Sequence, residues 1–151
     1  LLFYISWRFE FNFGLAALAA VLHDGLVTIS IASLLAIEIN TAFVAAILTI
    51  LGYSINDTIV VFDRIRENLP RYKEGFSVSD IANMSIYQTL TRSINTSVTT
   101  LLVIGCLLIF GGVTIKAFCL VLFIGIMAGT YSSIFIASPI LASIYTPIEP
   151  D

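Results

Sequence analysis

Four stretches of this 151-residue chain, at about 13–36, 42–62, 90–110 and 117–144, are apolar for roughly the 20 residues an α-helix needs to cross the hydrocarbon core of a bilayer. Hydrocarbon offers the backbone no hydrogen-bond partners, so runs of this length must satisfy their own amide groups as helices. Composition points the same way. The chain is 58% hydrophobic and 11% charged, against about 25% charged residues in soluble domains, and its mean hydropathy is +1.01. The expected fold is all-α: a polytopic transmembrane helix bundle with 1–151 as a single transmembrane domain and no room for a large soluble one. A net charge of −3 and a pI near 4.9 argue against a nucleic-acid partner.

Between the spans the punctuation is clear. Leu1–Trp7 is read as the stub of an earlier helix, ending in the interfacial cluster Arg8-Phe9-Glu10; without an initiator Met or a charged leading region it does not resemble a signal peptide. Segment 63–89 is expected to be a solvated loop, punctuated by Pro70 and Gly75 and carrying Arg64, Arg66, Arg71 and Lys73. Within it Ser77 and Asp80 have the spacing of a capping box, predicting a surface helix that then turns inward. Gly111-Gly112 should form a hairpin, Pro139 should kink the last span, and the tail 146–151 is too polar for lipid. The cations of 63–89 and Arg8 fall on one side and Lys116 on the other, so the charged loop and the C-terminus are expected to be cytoplasmic.

Against that background the intramembrane charges stand out. Asp57 lies in the otherwise apolar segment Gly52–Phe62, where an acid costs at least about 2.5–3.5 kcal/mol on insertion scales and normally faces a bundle interior. Counting from the outer helix ends places Asp57 roughly 22 Å deep, Asp24 roughly 18 Å and Arg92 roughly 27 Å. Arg92, Thr96, Thr99 and Thr100 share one face at helical spacing, with Asn95 beside it; Ser54 lies one turn before Asp57 and Thr28 one turn after Asp24. If these stripes meet, they enclose the materials of a proton relay. Burial disfavours a charged carboxylate and a nearby guanidinium favours it, so movement of Arg92 would load and unload Asp57.

Plainer readings stand beside this one. Asp57 and Arg92 could form a static salt bridge, the Ser and Thr residues could simply allow close helix approach, and His23 could be a hydrogen-bonded core residue. Gly125, Gly129, Ser133 and Ala137 read as a helix contact stripe without chemistry, and Cys106 and Cys119 as packing residues. The Asn-x-Ser/Thr triplets at Asn56, Asn83 and Asn95 fall in membrane or on the cytoplasmic side. An intramembrane aspartyl protease would need a Gly-x-Gly-Asp motif that neither Asp24 nor Asp57 has. Phosphate loops and metal-ligand spacings are missing too, so no enzyme activity and no metal are expected.

The run Gly52-Tyr53-Ser54-Ile55-Asn56-Asp57-Thr58-Ile59-Val60-Val61-Phe62-Asp63-Arg64-Ile65-Arg66-Glu67-Asn68 resembles the signature of the SecF family, the SecF subunit of the bacterial SecD/SecF protein-export complex. Leu22-His23-Asp24-Gly25 is similar to the family's His-Asp pair, with Gly25 where an apolar residue such as Val is common. Thr91–Leu101 is similar to its next motif. The resemblance implies a multi-spanning inner-membrane protein with the fold of the resistance-nodulation-division superfamily. It further implies that the protein works with SecD, the SecYEG channel and a translocating preprotein, driven by the proton-motive force. Asp57 would be the family's intramembrane acid, Arg92 its arginine and Thr96 its hydroxyl, with Asp24 a weaker relay candidate. The implied coupling ion is the proton, with Na⁺ an open alternative and no other cofactor. A first transmembrane helix and a periplasmic domain are expected before Leu1. The competing reading is a structural subunit whose polar residues only fix helix packing.

Overall fold

The computed structural model describes residues 11–145, with the main chain alone at 72–74; the expectations for the N-terminal stub and the C-terminal tail lie outside the described residues. Four long helical runs make up the bundle: α1 (Phe11–Leu34), α2 (Thr41–Asn68), α3 (Val78–Phe110), and α4 (Val113–Ser132), which passes through a π-helical turn (Ser133–Ala137) into α5 (Ser138–Ile144). Each of the four runs is long and apolar enough to cross a membrane. A 3-10 segment, Leu69–Glu74, joins α2 to α3.

Local chemistry sets the helix ends. Asn40 caps α2 by accepting the Phe43 N–H at 3.0 Å. Ser77 and Asp80 close a reciprocal capping box on α3. The α1 terminus is a Schellman turn in which the Ile37 N–H reaches Ala32 O and the Ala36 N–H reaches Ser33 O, placing Ala36 at φ 51. At the α3–α4 hairpin a Cβ on Gly111 would sit 2.2 Å from the Leu107 carbonyl, so only glycine fits.

Two expectations are corrected. The charged segment 63–89 is mostly helix: α2 runs on through Asp63, Arg64, Arg66 and Glu67 to Asn68, so only 69–77 connects the helices. The capping box starts no separate surface helix, because α3 runs unbroken for 33 residues, about 50 Å of rise against the roughly 30 Å hydrocarbon core. These extensions are held together by side chains. Asn68 Nδ2 donates to Ser85 Oγ and to Gln88 Oε1, each at 2.9 Å, and Arg64 Nε donates to the same Gln88 oxygen. Arg64 and Asn68 thus find partners on the neighbouring helix where α2 leaves the bilayer.

α4 is central, packing on α1, α2 and α3, and its run is the most buried of the four; α3 is the most exposed. The core divides into two apolar clusters. One, toward the α2–α3 connection, contains Phe13, Ala17, Phe62, Ile65, Ile81 and Leu141, with the Phe13 ring edge-on to Phe62 at 5.4 Å. The other, toward the α1–α2 and α3–α4 turns, contains Phe43, Ala46, Ile50, Cys119, Val121 and Ile126. Between them lies a layer of buried polar side chains.

Candidate functional site: a polar layer between two apolar clusters

Helical periodicity carries the acids into this layer. On α1 the buried stripe is Ala16, Ala17, Ala20, Asp24, Thr28 and Ala32, and on α2 it is Ala46, Ile50, Ser54, Asp57, Val61 and Ile65, so each carboxyl occupies a position otherwise filled by small or apolar residues. Small residues on α1 and α4 allow close approach. Gly129 of α4 passes so near α2 that a Cβ there would lie 3.2 Å from Ser54 Cβ and 3.6 Å from Asp24 Oδ2.

Asp24 is the more deeply held acid, with no exposed surface. Its Oδ2 accepts from Ser54 Oγ at 2.5 Å and from Ser132 Oγ at 2.7 Å, and its Oδ1 lies 3.1 Å from Nδ1 of the half-buried His23. Asp57 is 7% exposed, and its Oδ2 accepts from Ser133 Oγ at 2.9 Å. Acids on two helices are therefore engaged by neighbouring hydroxyls on a third, at the junction of α4 with its π-helical turn. Thr58 and Ser93 add two buried hydroxyls without a hydrogen-bond partner.

The turn has a local cause. Pro139 has no N–H, and its ring would collide with the carbonyl four residues earlier in a regular α-helix. Widening the helix over Ser133–Ala137 relieves this, and the Ser138 hydroxyl donates to the Ser133 carbonyl at 3.0 Å. Instead of a simple kink, Pro139 is accommodated by a π-helical turn next to the acids, a placement frequent at functional sites.

Arg92 and Thr96 do not join this cluster. Cross-links from Tyr53 OH to Thr100 Oγ1 and from Asn68 to Ser85 set the antiparallel register of α2 on α3, which puts Asp57 level with Thr96 and about one turn from Arg92. The predicted face of Arg92, Thr96 and Thr99 exists, but it points away from the bundle and is exposed. Thr96 Oγ1 donates to the Arg92 carbonyl at 2.7 Å, and Thr99 and Thr100 likewise bond backward along their own helix. Among the described residues Arg92 pairs with neither acid. The buried face of α3 is Ile81, Ser85, Thr89, Ser93 and Ser97, with Ser97 Oγ 2.7 Å from Thr130 Oγ1 of α4.

Sequence reasoning missed Ser132 and Ser133, the latter because it completes a small-residue stripe with Gly125, Gly129 and Ala137. The available signal was a Ser-Ser pair just ahead of an intramembrane proline. No cluster of three or more metal-ligating side chains occurs among the described residues. The cysteines are free, Cys119 buried and Cys106 exposed.

Apolar runs of spanning length around an interior layer of two carboxyls and many hydroxyls define a multi-pass membrane protein with a polar site at mid-bundle. Residues 1–147 match the family described as protein export membrane protein SecD/SecF, C-terminal, and the chain belongs to that family. It is 54% identical over 140 residues to the protein translocase subunit SecF of Desulfurispirillum indicum, covering 91% of this chain and 45% of that one. It is 51% identical over 141 residues to the SecF of Sebaldella termitidis, covering 93% of this chain and 46% of the relative. Two crystal structures of SecDF share the fold: the super-membrane-facing form, with TM-score 0.88 and 46% identity, and SecDF from Thermus thermophilus, with TM-score 0.87 and 45% identity. Each match covers 94% of this chain, and 19% and 20% of the respective SecDF chains. The chain spans about half the length of the SecF relatives it matches.

Proposed function

We propose that this chain is the membrane portion of an inner-membrane protein-export subunit that uses the proton-motive force to promote movement of preproteins across the membrane. Asp57 is its proton-carrying group, and Arg92, about one turn from the level of Asp57 on the outward face of α3, is a charged group of the path that forms no ion pair with Asp57 in this structure. Thr96 contributes a hydroxyl level with Asp57, and Asp24 is a second, more enclosed acid. The observation that carries this reading is the burial of two carboxyls in a hydroxyl-lined layer midway along membrane-spanning helices. Such groups are expensive in a bilayer and belong to ion or proton paths far more often than to packing.

The outward face of α3 supports a partner. An arginine, an asparagine and two threonines exposed at membrane depth need protein cover, and the SecD half of a SecDF assembly is the natural candidate. A carboxylate or other acceptor from SecD would then complete the site around Arg92, and SecYEG would deliver the preprotein. The cation-rich α2–α3 connection is assigned to the cytoplasm by the positive-inside rule.

The test is force-dependent export in vesicles carrying the full-length protein with Asp57→Asn, at equal expression and equal assembly with SecD. Selective loss of the force-dependent component is expected. Unchanged export would remove Asp57 from the ion path and leave helix packing as its role.

A further inference from the structure

Proton carriers buried in a membrane face a difficulty. The carboxylate form needs hydrogen-bond donors, the acid form brings an O–H that needs an acceptor, and a group left unmatched in either state is strongly penalised. Ser132 and Ser133 have the geometry to serve both states. Each hydroxyl carries one proton and has two acceptors within reach: a carboxylate across the helix interface and a carbonyl of its own helix. For Ser133 these are Asp57 Oδ2 at 2.9 Å and the Thr130 carbonyl at 3.1 Å. For Ser132 they are Asp24 Oδ2 at 2.7 Å and the Gly129 carbonyl at 3.2 Å.

We propose that Ser132 and Ser133 are positioning residues that adapt the two buried acids to both protonation states by swapping their hydroxyl protons between carboxylate and backbone carbonyl. While Asp57 is charged, Ser133 donates to it. When Asp57 takes a proton, its new O–H donates to Ser133 Oγ and the serine proton rotates onto the Thr130 carbonyl; only hydrogen bonds change, and the proton count of Ser133 is constant. Ser132 does the same for Asp24, rotating onto the Gly129 carbonyl. Adjacent side chains of a helix diverge by about 100°, so Ser132 at the end of α4 and Ser133 at the start of the π-helical turn meet acids on two different helices.

This rests on Asp57 carrying a proton, and the test separates the two claims. Full-length SecDF assembly containing this subunit, labelled with isotopic aspartate, is acidified in lipid nanodiscs and followed by infrared difference spectroscopy. The Asp57 carboxyl band is the one that disappears in Asp57→Asn. With Ser133→Ala, and with the near-isosteric weak donor in Ser133→Cys, that band is expected to move to higher wavenumber as its hydrogen bond is lost, while Ser133→Thr keeps it in place. Force-driven export by the Ala and Cys variants should fall by about tenfold, the equivalent of one lost hydrogen bond to a charged group. Ser132→Ala should move the band removed by Asp24→Asn. If no band depends on Asp57, the proton-carrier reading itself fails. If the band is present and unmoved in both Ser133→Ala and Ser133→Cys, the serine proposal is overturned while the carrier reading survives. Should the Thr variant fail to assemble, the Ala and Cys variants alone decide.

Discussion

Gly125 is where the packing of α2 on α4 can be tested most severely. A Cβ built there would lie 2.2 Å from Ile50 Cδ1, 2.4 Å from Cγ1 and 2.7 Å from Cγ2, and Ile50 is 1% exposed. Turning χ2 would move only Cδ1, so relief requires a new χ1 for a β-branched residue that has one strongly preferred rotamer in a helix. Otherwise the two helices must separate. Gly125→Ala is therefore expected to cost about 1–3 kcal/mol as an overpacked contact. Ile50→Ala removes all three colliding carbons and should cost about 2–5 kcal/mol as a cavity. In the double variant the new methyl occupies part of the vacated space, so the combined loss should fall short of the sum by about 1–3 kcal/mol. Reversible unfolding of the full-length protein in mixed micelles measures all three. Additivity to within about 0.5 kcal/mol would refute the reasoning, since it would mean that the two residues do not meet. The effect should reach the site as well. Gly129, one turn further along α4, rests against Ser54, so separating the helices at Gly125 should loosen the Ser54–Asp24 bond and reduce force-driven export by Gly125→Ala.

Other substitutions probe separate parts of the molecule. Ala36 holds a left-handed conformation at φ 51, so Ala36→Gly should raise stability by about 0.5–1 kcal/mol in the same unfolding titration; a decrease would contradict the Schellman assignment. Asp24→Ala leaves the buried Ser54 hydroxyl without its acceptor and should cost about 1–3 kcal/mol, whereas Asp24→Asn keeps an acceptor oxygen and should cost less; equal losses would count against the hydrogen-bond geometry. At the start of α3, outside the membrane, the Ser77 hydroxyl and then the Ser77 N–H hold the Asp80 carboxyl below its usual range. Its folded value is thus lower than its unfolded one, so its contribution is present above the ordinary value of 3.8 and is lost as pH falls through the lowered value. Protection from hydrogen exchange at the first α3 turn, taken relative to the intrinsic amide rate at each pH, should fall on acidification in the wild type, with the pH dependence flattened in Asp80→Asn; identical profiles would dismiss the capping box as its source.

The sequence alone determined which segments cross the membrane, because hydrocarbon leaves a long apolar run no choice but helix. It also marked Asp57 and Asp24 as interior, since a carboxyl at membrane depth is costly unless it faces the bundle, and it located the Ser77 cap, whose hydrogen bonds close within one turn. Helical periodicity likewise grouped Arg92 with Thr96 and Thr99 on one face of α3. What it could not do was rotate that helix. α3 carries two polar ladders, Arg92-Thr96-Thr99 and Ser85-Thr89-Ser93-Ser97, and their spacing is equally helical; only contact with α2 and α4 turned the serine ladder inward and left the arginine facing out. The helical reach of α2 past Asp63 was hidden for a similar reason. Its charged residues look like loop until Asn68, Ser85 and Gln88 bind one another across the helix pair. Ser132 and Ser133 escaped notice because a serine in a small-residue stripe has no distinguishing pattern. Their role arises when α4 sets its adjacent hydroxyls, at the start of the widened turn, against carboxyls on α1 and α2, a juxtaposition that exists only once three helices have packed.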